Sequence, residues 1–236
     1  VQQHSFQTAV LCREYAIPAF KDFLYVIGLL HDIGKYMVEF QKRIRGEQIR
    51  VEHSTCGALA AGSLFPNVMG LMMQFCIAGH HSGLPDAGFP NDTQELGTLY
   101  GRLKREFSDY SEYKRELEIP SVDFGVWAEF VAGDCRKDQE LQIDKFAFLT
   151  RYAFSCLVDA DSTDTADFCR EEERPRALRS DFQACLDRVN ARWSAFVCRT
   201  NLQKARSALQ AQAFRNADRD AEIYLLNMPT GSGKTL

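Results

Sequence analysis

Apolar residues recur at helical spacing over almost the whole chain, and that period restricts the fold more than any other feature. Residues 21–40 carry a stripe of Phe23, Leu24, Ile27, Leu30, Met37 and Phe40, at intervals that line one side of a helix. Residues 6–15 predict an earlier helix, closed off by Pro18. Residues 55–64 are rich in Ala and Gly, which allows close helix packing. Residues 70–78 predict another apolar helix, stopped by Ser82-Gly83 and Pro85, and residues 84–91 are a Gly/Pro-rich loop. Helices are expected over residues 96–107 and 123–131. A strongly apolar one over 146–158 should end in an acidic turn, Asp159-Ala160-Asp161, with polar, exposed residues from 164 to 175. Residues 181–197 are amphipathic, with Phe182, Leu186, Val189, Trp193 and Phe196 on one face. The expected fold class is all-α, a helical bundle.

The pattern changes near residue 200. A helix over 201–214 is followed by the one convincing strand, 222–227, where Ile-Tyr-Leu-Leu is flanked by polar residues. We therefore expect one domain over residues 1–200 and the truncated start of an α/β domain over 201–236. The length, 236 residues, suits one large domain or one domain plus a fragment.

Eight cysteines, none spaced as C-x-x-C, argue against a zinc knuckle or redox pair and suit small core residues in a reducing cytoplasm. No apolar run approaches the roughly 20 residues of a membrane span, and the first residues lack the basic and apolar regions of a signal peptide. The expected location is cytoplasmic, with no membrane partner. The net charge of −4 argues against nucleic-acid binding by bulk electrostatics. It leaves a phosphate substrate open, because two bound divalent ions would add four positive charges locally.

The five histidines, His4, His31, His53, His80 and His81, all lie before residue 82. His31 and Asp32 are adjacent on an apolar helix, where neighbouring side chains diverge by about 100° and can reach different ions. Lys35 lies on the same side. His80-His81 and Asp159 each follow an apolar helix. Imidazole with carboxylate suits manganese, iron, cobalt, nickel or zinc better than calcium. Seven such ligands exceed the needs of one ion and fit two sharing a bridging carboxylate, an arrangement that activates water for in-line phosphoryl attack. A lone histidine is more often a hydrogen-bonded core residue than a ligand; the ordered set carries the inference.

That set, His4, then His31-Asp32-Ile33-Gly34-Lys35, His53-Ser54, His80-His81-Ser82-Gly83 and Asp159, resembles the HD superfamily. More narrowly it resembles the HD nuclease domain of the helicase–nuclease of type I CRISPR interference. Leu-Leu-His-Asp-Ile-Gly-Lys, Ala-Gly-His-His-Ser-Gly-Leu and Ser-Cys-Leu-Val-Asp-Ala-Asp carry the likeness, which covers roughly residues 1–200. The resemblance implies an HD helical bundle that degrades single-stranded DNA with two divalent ions, manganese, iron, cobalt, nickel or magnesium. One ion would be held by His4, His31, Asp32 and Asp159, the other by His53, His80 and His81, with Asp32 bridging. Asp161 rivals Asp159, and the family pattern favours Asp159. Asp32 and Lys35 would be catalytic, Lys35 near the phosphate or steadying the carboxylates. In the parent protein, the CRISPR surveillance (Cascade) complex would be the partner.

The last residues, Pro-Thr-Gly-Ser-Gly-Lys-Thr, resemble motif I of superfamily-two helicases. They depart from the strict phosphate loop, which wants Gly where this chain has Met228. Gly231, Gly233, Lys234 and Thr235 would contact ATP only in a full-length parent, whose RecA-like helicase domain would start at about residue 201. Two basic clusters, Lys42, Arg43, Arg45 and Arg50, and Arg102, Lys104 and Arg105, are candidates to guide a strand, although such runs are usually solvated helix faces. The alternatives are an HD phosphohydrolase acting on small nucleotides and a non-catalytic docking module.

Overall fold

The computed structural model describes residues 1–133, 137–169, 181–217, 225–229 and 231–232. The chain divides into two compact units, Val1–Glu173 and Arg174–Leu236, a division that falls earlier than the change of pattern near residue 200. The described residues are helical and contain no strand, and none of their helices is long and apolar enough to cross a membrane.

In the first unit, α1 (Gln2–Tyr15), α2 (Lys21–Leu30), α4 (Ser54–Leu64), α5 (Val68–Gly79) and α9 (Gln139–Phe168) form the bundle. Short α3 (Val38–Ile44), α6 (Leu99–Arg102), α7 (Tyr113–Glu116) and α8 (Phe124–Ala132) complete it. α1 packs on α2 and α9, α4 on α5, and α5 on α9. The stripe Phe23, Leu24, Ile27 and Leu30 is buried as its spacing predicts, and Trp127 is inserted against Phe20 and Phe23.

Small residues set how closely these helices approach. A methyl group at Gly28 would stand 2.5 Å from the Ala9 Cα, and one at Gly57 2.1 Å from the Leu30 carbonyl oxygen. Asn67 caps α5 by accepting from the Met69 and Gly70 N–H groups, and Asp138 caps α9 by accepting from that of Leu141. Gly83, at φ 90°, forms the left-handed turn after α5, at the stop signal present in the sequence.

Several expectations need correction. The 21–40 stripe is not one helix: α2 ends at Leu30, a 3-10 turn spans Ile33–Tyr36, and α3 follows. Within that turn Gly34 lies close against the chain at His53, where a Cβ would lie 2.2 Å from the carbonyl oxygen. The helix expected over 96–107 is the single turn α6, because the following side chains hold the preceding loop. Lys104 donates to the Pro90 and Asp92 carbonyls, and Arg105 to those of Gln94 and Leu96.

The acidic turn at 159–161 is also absent. α9 runs through it to Phe168, since no Gly or Pro interrupts residues 139–168 and the buried Leu157 and Ala160 keep its face on the core.

In the second unit, α10 (Phe182–Ser194) and α11 (Asn201–Ala217) are formed, and Trp193 stacks on Phe214 with ring centres 4.9 Å apart. Of the expected strand, residues 222–224 lie outside the described residues, and Leu225, Leu226 and Asn227 form no ladder; a lone strand has no partner to satisfy its backbone. Gly231 takes a positive φ of 79°. Gly233, Lys234 and Thr235 lie outside the described residues.

The tight α2–α4 crossing makes Gly57→Ala a direct test of the packing. It should cost about 1–3 kcal/mol, the usual range for overpacking, and lower the urea midpoint. Gly97→Ala, where the added methyl meets open space, should leave that midpoint nearly unchanged.

Candidate metal centre

Five separate segments converge at one end of the bundle. His4 comes from the first turn of α1, and His31 and Asp32 follow the last residue of α2. His53 precedes α4, His80 and His81 follow α5, and Asp161 lies on α9. The Asp32 carboxylate is 1% exposed and stands between two groups of side chains.

Its Oδ2 lies 3.3 Å from the Nε2 of both His4 and His31. Asp161 Oδ1 closes that first group, 3.2 Å from His4 Nε2 and 3.9 Å from His31 Nε2. Asp32 Oδ1 faces the second group, 3.1 Å from His53 Nε2 and 3.6 Å from His80 Nε2. His81 Nε2 completes it, 2.9 Å from His53 Nε2. Asp32 with His53, His80 and His81, and His4 with His31 and Asp161, each form a set of donor atoms within 4.8 Å of one another.

The hydrogen bonds behind these rings define what the front atoms can do. His31 Nδ1 lies 2.7 Å from the Gly28 carbonyl, and His80 Nδ1 2.7 Å from that of Ile77. A carbonyl only accepts, so each Nδ1 carries the proton and donates it. In the neutral ring, Nε2 is then left with a bare lone pair. Both Nε2 atoms are buried without a hydrogen-bond partner, and both point at carboxylate oxygens that also only accept. Facing acceptors repel unless a cation stands between them. The arrangement therefore fits a divalent cation in each group, with the ring tautomers already set for coordination.

Where protons occupy the cluster instead of cations, its charges answer one another. Burial would raise the Asp32 carboxyl, but His31, His4 and His53 around it hold it well below the ordinary carboxylate range. Asp161, likewise opposed by burial, is held low by His4 and His31. Asp161 and Asp32, with a smaller contribution from Asp164, hold the His4 imidazolium up to about 10. That ring thus carries a positive charge wherever no metal replaces its proton. Burial lowers His80, and burial together with His80 and His53 lowers His81 to about 4. Both rings are therefore neutral donors at physiological pH. The Lys35 ammonium pairs with Asp32 Oδ2 and is partly exposed beside it.

Of the residues singled out in the sequence, His4, His31, Asp32, Lys35, His53, His80 and His81 are brought together. Asp159 is not: it is exposed, while Asp161, about 200° further round the helix, faces the histidines. The continuous α9 explains the exchange, because Leu157, Ala160, Asp161 and Asp164 share one face. That periodicity is the signal that would have selected Asp161 and revealed Asp164.

Arg102, grouped in the sequence with a basic cluster, is instead buried. It donates to Thr55 Oγ1, Ser54 Oγ and Glu52 Oε1, and Glu52 accepts from the Thr55 N–H and Ser54 Oγ–H. This network fixes the start of α4 directly after His53.

A helical bundle with paired imidazole–carboxylate groups around one shared aspartate defines a metal-binding hydrolase class. The chain belongs to the HD family: the family profile described as HD domain matches residues 1–121, and members of this family are typically metal-dependent hydrolases. A search of curated proteins found no match.

Two outcomes follow from the geometry. Asp161→Ala should weaken binding of one Mn²⁺ by at least about tenfold, whereas Asp159→Ala should match the wild type in a calorimetric titration. Chelation should also lower the melting temperature, because cations binding only the folded form tie together segments distant in sequence. Each cation contributes about 2.7 kcal/mol when free metal is about 100 times Kd. Equal melting temperatures with and without Mn²⁺ would contradict the cross-linking.

Proposed function

We propose that this domain is a two-metal phosphodiesterase that cleaves single-stranded DNA, the nuclease part of a helicase–nuclease of type I CRISPR interference. One observation carries the reading: the two oxygens of a single buried carboxylate, Asp32, face two separate ligand groups. When bound, two divalent cations supply an activated water and neutralise charge on the phosphoryl oxygens of an in-line displacement.

The chain's own residues do the rest. Asp32 holds the two positions in register, and the backbone carbonyls behind His31 and His80 keep those rings aimed. Lys35, partly exposed at the same carboxylate, supplies a fixed positive charge for a phosphate oxygen. His81 is exposed, so the second group opens to solvent.

The preference for a strand over a small nucleotide rests on what lies beside that opening. The Phe40 ring packs on His53 with centres 4.8 Å apart, and the Arg43 guanidinium lies 5.8 Å from the Phe40 ring centre. Lys42, Arg45 and Arg50 are exposed on the same stretch. A basic run continuing from the second group suits a backbone carrying one phosphate per nucleotide. The Arg102, Lys104 and Arg105 cluster is occupied with internal partners and has no part in this path.

The helicase part of the reading rests on Pro-Thr-Gly-Ser-Gly-Lys-Thr at residues 229–235. In the longer parent, Gly231, Gly233, Lys234 and Thr235 would serve ATP, a surveillance complex would deliver the displaced strand, and the work would be cytoplasmic.

Digestion of a circular single strand with Mn²⁺ tests the proposal. The wild type should cut it without ATP. Asp32→Ala should lower the rate by about 10³-fold or more, on the order of 4 kcal/mol of lost transition-state stabilisation. An intact circle alongside hydrolysed nucleotides would assign the protein to the small-nucleotide hydrolases. Wild-type cutting by Asp32→Ala would remove the shared carboxylate from the mechanism.

A further inference from the structure

We infer that Asp164 is the positioning residue for His4, and that it sets the affinity of the cation position formed by His4, His31 and Asp161. The inference rests on the metal-centre reading above and extends it to a residue outside both ligand groups.

The geometry is direct. Asp164 Oδ2 lies 2.6 Å from His4 Nδ1, with both side chains about one-fifth exposed. The opposite ring nitrogen, Nε2, is the one that faces Asp32 and Asp161. An imidazole with one nitrogen held by a carboxylate has its tautomer and its rotation fixed, and the charge behind it makes the forward nitrogen a stronger donor. Asp164 meets the rear edge of the ring, so it cannot reach the cation that the front edge would hold.

The contrast with the other rings sharpens the argument. His31 and His80 are each oriented by the carbonyl three residues earlier in their own chain segment, Gly28 and Ile77. His4 stands in the first turn of α1, and a residue 160 positions later holds it instead. Asp161 and Asp164 lie three residues apart on α9, on one face. One helix therefore supplies both a ligand to the first cation position and the group that aims another ligand at it.

Calorimetric titration of the metal-free full chain with Mn²⁺ tests this, using Asp164→Ala and Asp164→Asn. The wild type should take up two cations. Asp164→Ala should lose about 10–100-fold in affinity at one position and keep the other, which His53, His80 and His81 form. Asp164→Asn should lose less, because its amide oxygen still accepts from Nδ1–H. In the metal-free protein, the strongly hydrogen-bonded Nδ1 proton of His4 should give a far-downfield proton resonance that Asp164→Ala abolishes. Unchanged affinity at both positions, or an equal fall at both, would overturn the inference. Uptake of a single cation by the wild type would sink the paired-cation reading instead, and Asp164 would then stand or fall on whether that one affinity drops in Asp164→Ala.

Discussion

The buried Asp32 carboxylate is the constraint on which the rest of the structure depends. At 1% exposure it has lost nearly all its hydration, and an uncompensated ion there would cost several kcal/mol. Lys35 answers part of that charge from one side. In their neutral form His31 and His80 offer it only lone pairs, because their Nδ1 protons are committed to backbone carbonyls. The His4 imidazolium answers more of it wherever no metal takes its proton, and each segment reaching Asp32 brings an atom that could bind a cation in its place.

That arrangement is set by backbone contacts more than by the ligands. Gly57 lets α4 lie against the last turn of α2, and Gly28 lets α1 approach the same helix. Gly34 lets the chain after Asp32 touch the chain at His53. Each of these contacts lies within a few residues of a ligand or of a helix bearing one, so a side chain at any of them would displace a donor atom. The Glu52–Arg102 network acts similarly from behind, holding α4's first turn through Ser54 and Thr55. Preorganisation of this kind is what a site needs if ligand geometry is to survive the repulsion among its own lone pairs.

Much of this was legible in the sequence. Helical period places the buried face of α2, and the order His31-Asp32, His53 and His80-His81 names candidate ligands whose side chains the fold brings together. The failures have a common physical source. Acidic residues after an apolar run read as a helix end, because Asp has poor helix propensity and favours turns. In the folded chain, the packing of Leu157 and Ala160 and the attraction of Asp161 and Asp164 to His4 outweigh that preference, as tertiary context often does. Read as a helix end, the run points to Asp159; read as one continuous helix, it turns Asp161 and Asp164 toward His4. Arg102 misled for the related reason that a charge run does not reveal which member is internal. Glu52, its partner, lies fifty residues away and has no local signal.

The two ligand groups also differ in how they are assembled, and the difference bears on function. The second is built from residues 32–81, inside the stretch matched by the HD family and inside the α2–α4–α5 packing. The first needs α1 and α9 side by side, with His4 facing Asp161 and Asp164, and Cys12 packed at Cys156. Those pairings run antiparallel and close loops of about 150 residues, contacts that form only once most of the unit is in place. α5, which leads into His80 and His81, also packs on α9, so that helix supports both groups. A chemistry that needs both cations therefore depends on the docking of one long helix, and the attraction of Asp161 and Asp164 to His4 holds that docking at the site itself.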